Sequence, residues 1–230
     1  MSPSCHPHPP TCLRRSGVRS VGRCMMLTVA IFMLSACDKT KEDEIPRGSQ
    51  VLALGDSLTA GAGVTPEEAW PSLLAGRTGW VVINGGVSGD TSGAALLRLP
   101  SLLEEHQPVL VLVTLGGNDM LRHIPKQETV ANLEKIIALI KAQGAKPVLL
   151  ATPQPTIAGA VFQHLSAADL YREVAEDQQV PLIEDAVPDV LSDPQLKGDP
   201  LHPNVAGHTL LSEKIVEELK SIGFASQVVK

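Results

Sequence analysis

The chain has 230 residues, 43% of them apolar and 3% aromatic. That length suits one domain with a short leader, the apolar share excludes disorder as the overall state, and the shortage of rings argues against base-stacking recognition of nucleic acid. Arg14, Arg15, Arg19 and Arg23 precede residue 38 and no Asp or Glu does, which leaves the remainder with 15 basic against 25 acidic residues, a poor match for nucleic acid or an anionic surface.

The first segment reads as an export signal. A basic stretch ends at Arg23, and an apolar run follows from Met25 to Leu34. About 10 residues are too few to cross a bilayer but suit the core of a signal peptide. Leu34-Ser35-Ala36-Cys37 then resembles the lipobox of bacterial lipoproteins, which implies lipidation of Cys37 and a membrane anchor. An ordinary cleaved signal with an incidental cysteine is the alternative. Met25 or Met26 would make a more compact start, and Arg14-Arg15 leaves a twin-arginine signal open. Asp38 resembles a retention signal for the inner membrane, with the outer membrane as the other destination. Residues 1–36 are thus the expected signal, 37–48 a polar tether, and 49–224 the domain. The four cysteines (Cys5, Cys12, Cys24, Cys37) all lie at or before residue 37, so the body has no disulfide framework and no cysteine metal site.

From residue 50 strands and helices alternate. Val51–Leu54 reads as a buried parallel strand ending at Gly55. Pro66, Glu67 and Glu68 open a predicted helix to Arg77. Trp80–Ile83 is the second strand, followed by a Gly- and Ser-rich loop over 84–93 and a helix through Leu103. Val109–Leu115 is the third and most apolar strand, broken by Gly116-Gly117-Asn118-Asp119. Glu128–Gln143 has apolar residues at helical spacing, with Gly144 placed as a C-cap. Pro147–Leu150 is a fourth strand, Ser166–Gln178 a helix, Val180–Ile183 a fifth strand and Val205–Lys220 the last helix. This alternation predicts an α/β fold, a five-stranded parallel sheet with helices on both faces. Ligands bind such sheets beyond the strand C-termini, where the loops bearing Ser57, Gly89 and Asn118 converge.

Ser57 in Gly55-Asp56-Ser57-Leu58 is either a helix cap or a nucleophile. A nucleophile needs a base, and the base an orienting acid. Of the body's histidines (His106, His123, His164, His202, His208), only His202 follows a carboxylate by three residues in a Pro-punctuated loop, Asp199-Pro200-Leu201-His202-Pro203-Asn204. Both side chains could emerge from that turn, the carboxylate holding one ring nitrogen while the other faces a serine. A helix-start loop capped by Asn204 is the plainer reading. Ser88-Gly89-Asp90-Thr91 and Gly116-Gly117-Asn118-Asp119 are weak signals singly, and neither carries a phosphate-loop pattern.

Together these four motifs resemble the SGNH/GDSL hydrolase family, in the right order over residues 50–221. The nearest branch is the arylesterase and thioesterase I/lysophospholipase L1 group, supported by Ala69-Trp70-Pro71, the run from Asn84 to Ser92 and Leu115-Gly116-Gly117-Asn118-Asp119-Met120-Leu121-Arg122. The resemblance implies a three-layer α/β/α sandwich with flavodoxin-like strand order. It makes Ser57 the nucleophile, His202 the base and Asp199 its orienter, with an oxyanion hole from the Ser57 and Gly89 N–H groups and the Asn118 amide. Met120, Leu121, His123 and Ile124 would border the acyl pocket, with Ile157 and Phe162 on the other wall. The implied partners are small acyl-ester, thioester or lysophospholipid substrates. No cofactor and no metal are implied, and a monomer is expected. A carbohydrate O-acetyl esterase or transferase of the same fold, and a non-catalytic lipid-binding lipoprotein, remain the rival functions.

Overall fold

The computed structural model describes residues 42–155 and 164–226, and Cys37, Ile157 and Phe162 lie outside them. Within the described residues five parallel strands form one sheet: β1 (Gln50–Gly55), β2 (Val81–Gly86), β3 (Leu110–Thr114), β4 (Lys146–Leu150) and β5 (Leu182–Ile183). Their order is β2-β1-β3-β4-β5, with the chain reversing its direction of travel between β1 and β3. Ligands of open α/β sheets bind beside such a switch point.

Helices cover both faces. They are α1 (Ser57–Ala60), α2 (Trp70–Thr78), α3 (Ser92–His106), α4 (Gly117–Leu121), α5 (Lys126–Ala142), α6 (Leu170–Gln178), α7 (Ala186–Ser192) and α8 (Val205–Ile222). Alternate strand residues point to opposite faces. Val51, Ala53, Leu110, Leu112, Val148 and Leu150 therefore pack against Trp70 and Leu74 of α2 and Leu211, Ile215 and Leu219 of α8. Leu52, Leu54, Val111, Val113 and Leu149 face Leu99 of α3, Ile136 and Ile140 of α5 and Val174 of α6. Each of these Val, Leu and Ile side chains, fully buried, stabilises by about 1.5–3 kcal/mol, so two aliphatic layers hold the sandwich without many rings.

Several expected boundaries move, each for a local reason. The helix expected from Pro66 begins at Trp70. Pro71 lacks the N–H that a through-running helix would need, and the Trp70 N–H donates to His208 Nδ1 at 3.3 Å. The helix expected from Ser166 begins at Leu170, because the Ser166 carbonyl accepts from Gln154 and the Ala168 N–H donates to Thr152. Strand β5 has two residues rather than four. The Val180 N–H closes the end of α6 on Ala175, and Pro181 has no N–H to pair. Strand β2 runs on to Gly86, through the first glycines of the expected loop, where a Cβ would stand 2.2 Å from the backbone nitrogen of Ala60. Only glycine lets α1 lie that close to the sheet.

The segment before β1, expected to be a free tether, packs on the domain from Glu42. Ile45 is 7% exposed, its N–H donates to the Phe224 carbonyl at 2.9 Å, and its carbonyl accepts from the Trp80 indole at 3.1 Å. Ile45→Ala is expected to lower unfolding stability by about 2–3 kcal/mol, read from urea titration. A loss below about 0.5 kcal/mol, the range of ordinary surface changes, would mean that this segment is not part of the core.

Candidate active site

The site is assembled by the strand ends. Asp56 follows β1 and caps α1, its Oδ1 accepting from the Leu58 N–H at 3.0 Å. Asp56 rather than Ser57 thus does the capping, which leaves the Ser57 hydroxyl free for other work at the first position of the helix. That hydroxyl lies 2.9 Å from His202 Nε2. His202 Nδ1 lies 2.8 Å from Asp199 Oδ2. A carboxylate can only accept here, so Nδ1 carries the proton and Nε2 accepts from Ser57.

The loop carrying the last two residues is closed on itself. Asp199 Oδ1 accepts from the N–H groups of Leu201 and His202 at 2.7 and 2.9 Å, and the Gly198 N–H donates to the His202 carbonyl at 3.0 Å. Asn204 caps α8 through the Gly207 N–H while its amide donates to the Gln195 and Lys197 carbonyls. The loop is thus the capped helix start of the plainer reading, and the cap fixes the turn that brings His202 to Ser57. Asp199 is half exposed, and the bond from His202 together with the two backbone donors holds its carboxyl below the usual range.

Facing Ser57 is a set of donors. Gly89 stands at φ +84°, a conformation that favours glycine, and its carbonyl accepts from Arg122 at 2.7 Å. Arg98 pairs with Asp90 at 2.7 Å and donates to the Gly55 carbonyl at 3.0 Å, so the Gly89 loop is tied to the end of β1. Asn118, in the first turn of α4, donates one amide hydrogen to Asp56 Oδ2 at 3.0 Å, which leaves the second for a ligand. Buried Asp119 fixes α4 by accepting from the Ser92 N–H at 2.8 Å, from the Ser92 hydroxyl and from Thr129. The buried Tyr171 hydroxyl joins the Leu115 carbonyl to Thr152 and ties the ends of β3 and β4. Sequence reasoning gave no role to Asp56, Arg98, Asp119 or Tyr171. Asp56 and Asp119 lie inside the quoted motifs, but the contacts that give them these roles, with Asn118 and Ser92, reach 62 and 27 residues along the chain.

Above Ser57 opens a cavity of about 1060 Å³, with Leu58, Leu121, Leu165, Leu191 and Leu201 among its walls. Of the segment expected to border an acyl pocket, only Leu121 lines it. Met120, His123 and Ile124 line a neighbouring cavity of about 420 Å³, and Gln154 borders both. Met120 and Leu121 diverge by about 100° around α4, and His123 and Ile124 follow the end of that helix, where the chain turns at His123 (φ +56°). Among the described residues no group of His, Cys, Asp and Glu is arranged to hold a metal ion.

The sequence model of the GDSL-like lipase/acylhydrolase family matches residues 53–210, which span every element of this site. The chain belongs to that family. It is 38% identical over 201 residues to an arylesterase of Vibrio mimicus, covering 85% of this chain and 96% of the relative. It is 37% identical over 177 residues to thioesterase 1/protease 1/lysophospholipase L1 of Escherichia coli K12, covering 75% and 84%. Among solved structures, the psychrotrophic esterase EstA of a Pseudoalteromonas species, inhibited by monoethylphosphonate, superposes with a TM-score of 0.67 at 32% identity, covering 75% of this chain and 97% of that one. The family's name-giving run is Gly55-Asp56-Ser57-Leu58, and the α/β/α sandwich is its fold.

Two outcomes follow from this geometry. Asn118→Ala is expected to lower kcat by about 10²- to 10³-fold with little change in KM. A loss confined to KM would show that the amide binds substrate without stabilising the transition state. Burial raises the Asp56 carboxyl to about 6 from 3.8, against the opposing bonds from Leu58 and Asn118. Between those values the folded chain holds a proton that the unfolded chain has released, so stability falls as pH rises through that window. Asp56→Asn, neutral throughout and able to keep the cap, is expected to remove up to about 1.4 kcal/mol per pH unit of that slope. Urea unfolding across the window measures it, and an unchanged slope would assign the titration to another group.

Proposed function

We propose that the chain hydrolyses carboxylic esters and acyl thioesters, including lysophospholipids, through an acyl-enzyme on Ser57, and works outside the cytoplasm as a lipoprotein anchored at Cys37. Membership of an acylhydrolase family makes it an ester hydrolase. The observation that carries the mechanism is the unbroken line from Ser57 Oγ to His202 to Asp199, with spacings of 2.9 and 2.8 Å, at the base of a leucine-walled cavity.

The steps follow from that line. Ser57 Oγ attacks the acyl carbon as Nε2 takes its proton, and Asp199 stabilises the imidazolium that forms. The developing oxyanion meets the N–H groups of Ser57 and Gly89 and the free amide hydrogen of Asn118, preorganised by Arg122 and Asp56. His202 then protonates the departing alcohol or thiol. Water enters, His202 takes a proton from it as the water oxygen attacks the acyl-enzyme, and collapse releases the acid while His202 returns the proton to Ser57 Oγ.

The apolar walls favour an acyl chain over the acetyl group of a sugar, and the size suits a chain of several carbons. The reading of Cys37 rests on Leu34-Ser35-Ala36-Cys37 and the basic and apolar stretches before it. Ser57→Ala is expected to reduce hydrolysis of p-nitrophenyl esters and acyl-CoA by about 10⁴-fold or more, and to abolish labelling by a fluorophosphonate. Full labelling of that variant would exclude Ser57 as nucleophile. Release of acetate from acetylated polysaccharide, without activity on longer acyl chains, would transfer the site to the carbohydrate esterase reading. Cys37→Ala is expected to shift the protein from the membrane fraction to the soluble one.

A further inference from the structure

The chain enters the domain at the pole opposite to the catalytic mouth. Because all five strands are parallel, the sheet has a start edge and an end edge. Ser57, Gly89 and Asn118 all follow strand ends. Everything that holds the entering segment lies at the other edge. The Glu42 carboxylate pairs with Lys146, the first residue of β4, and the Glu42 N–H donates to the carbonyl of Ile222, the last residue of α8, at 3.0 Å. Ile45 is bonded to Phe224 and Trp80, Arg47 to the Thr78 carbonyl at the end of α2, and Gly48 to Gly79. Strand β1 alone, with six residues, separates the two edges by roughly 20 Å.

We infer that an anchor at Cys37 holds the catalytic mouth away from the membrane that carries it, so that the enzyme takes acyl esters from the aqueous phase rather than from its own bilayer. The inference rests on the proposed lipidation of Cys37. The five-residue step from Cys37 to Glu42 spans at most about 18 Å when fully extended. A domain of this length is roughly 40 Å across. Turning the mouth onto the bilayer would lift Glu42 by about that diameter, more than twice what the leash permits. The docking of residues 42–48 is what makes the leash short, since their release would roughly double its reach. Leu121 and Leu201, 46% and 49% exposed at the mouth, would otherwise be suitable points of entry into lipid. On this geometry they meet the apolar part of a water-borne substrate instead. Monomeric lysophospholipids and soluble esters or thioesters are the class that reaches the site.

The test uses the full chain, purified from membranes and reconstituted in dilute phosphatidylcholine vesicles, beside a variant with 30 Gly/Ser residues inserted after Lys41. Two substrates are compared: soluble p-nitrophenyl butyrate, and a palmitoyl fluorogenic ester held in the same vesicles. Equal rates are expected on the soluble ester, which also shows that the insertion leaves the domain folded. On the vesicle-held ester the longer leash is expected to be at least about tenfold faster, because a linker too short to span gives an effective concentration near zero. Equal rates on the vesicle-held ester would overturn the inference. Intact mass separates the two ways to fail: a mature chain without acyl groups on Cys37 sinks the anchor and the inference with it, whereas an acylated chain with equal rates sinks the orientation alone.

Discussion

The Asp56 carboxylate is the point on which the catalytic edge depends. One oxygen ends β1 and starts α1 by capping Leu58, which sets where the Ser57 hydroxyl emerges. The other accepts from the Asn118 amide and so sets where that side chain stands. A single buried group thereby couples the Ser57 turn to the Asn118 amide, the proposed nucleophile to a proposed oxyanion donor, across 62 residues of chain. Burial opposes its ionisation and the two donors favour it, and burial is the larger influence.

The other acids and bases of this edge are placed by different physics. Asp199 is half exposed and its hydrogen bonds hold its carboxyl below the usual range, whereas Asp119 is fully buried and pins α4 to α3 and α5. His208, in the first turns of α8, stands apart from the Ser57–His202–Asp199 line. It is buried against α2, accepts the Trp70 N–H, and is driven down to about 4 chiefly by burial. It is therefore neutral in the folded chain near neutral pH. The stability that it contributes is complete above its unfolded value of 6.5 and declines as pH falls toward 4.

The two edges of the sheet divide the labour of the domain. Strand ends carry loops held by arginine and carboxylate contacts, which fix the positions of Gly89 and Asp90. Strand starts carry the packing of Ile45, Trp80 and Phe224, where the entering and leaving ends of the domain cover the core together. Parallel strands make this separation unavoidable, since every crossover returns the chain to the start edge before the next strand.

Much of this was legible in the amino-acid sequence because it depends on local order. Period-two and period-3.6 patterns follow from backbone geometry, so the strand count and most helices could be read directly. The spacing of the proposed pair Asp199 and His202 is confined to one turn, and Gly89 stands at a positive φ where the sequence singled out a glycine. The short helices α1, α4 and α7 were missed, since four to seven residues give too little periodicity to stand out. What only the tertiary structure decided involves groups far apart in the chain. These are the grip of Asp56 on Asn118, the burial of Asp119 under Ser92, the division of Leu121 from Met120, His123 and Ile124, and the docking of Ile45 in what reads as a polar tether. None leaves a periodic trace, because a long-range hydrogen bond or a single buried isoleucine is set by where the sheet brings two segments together.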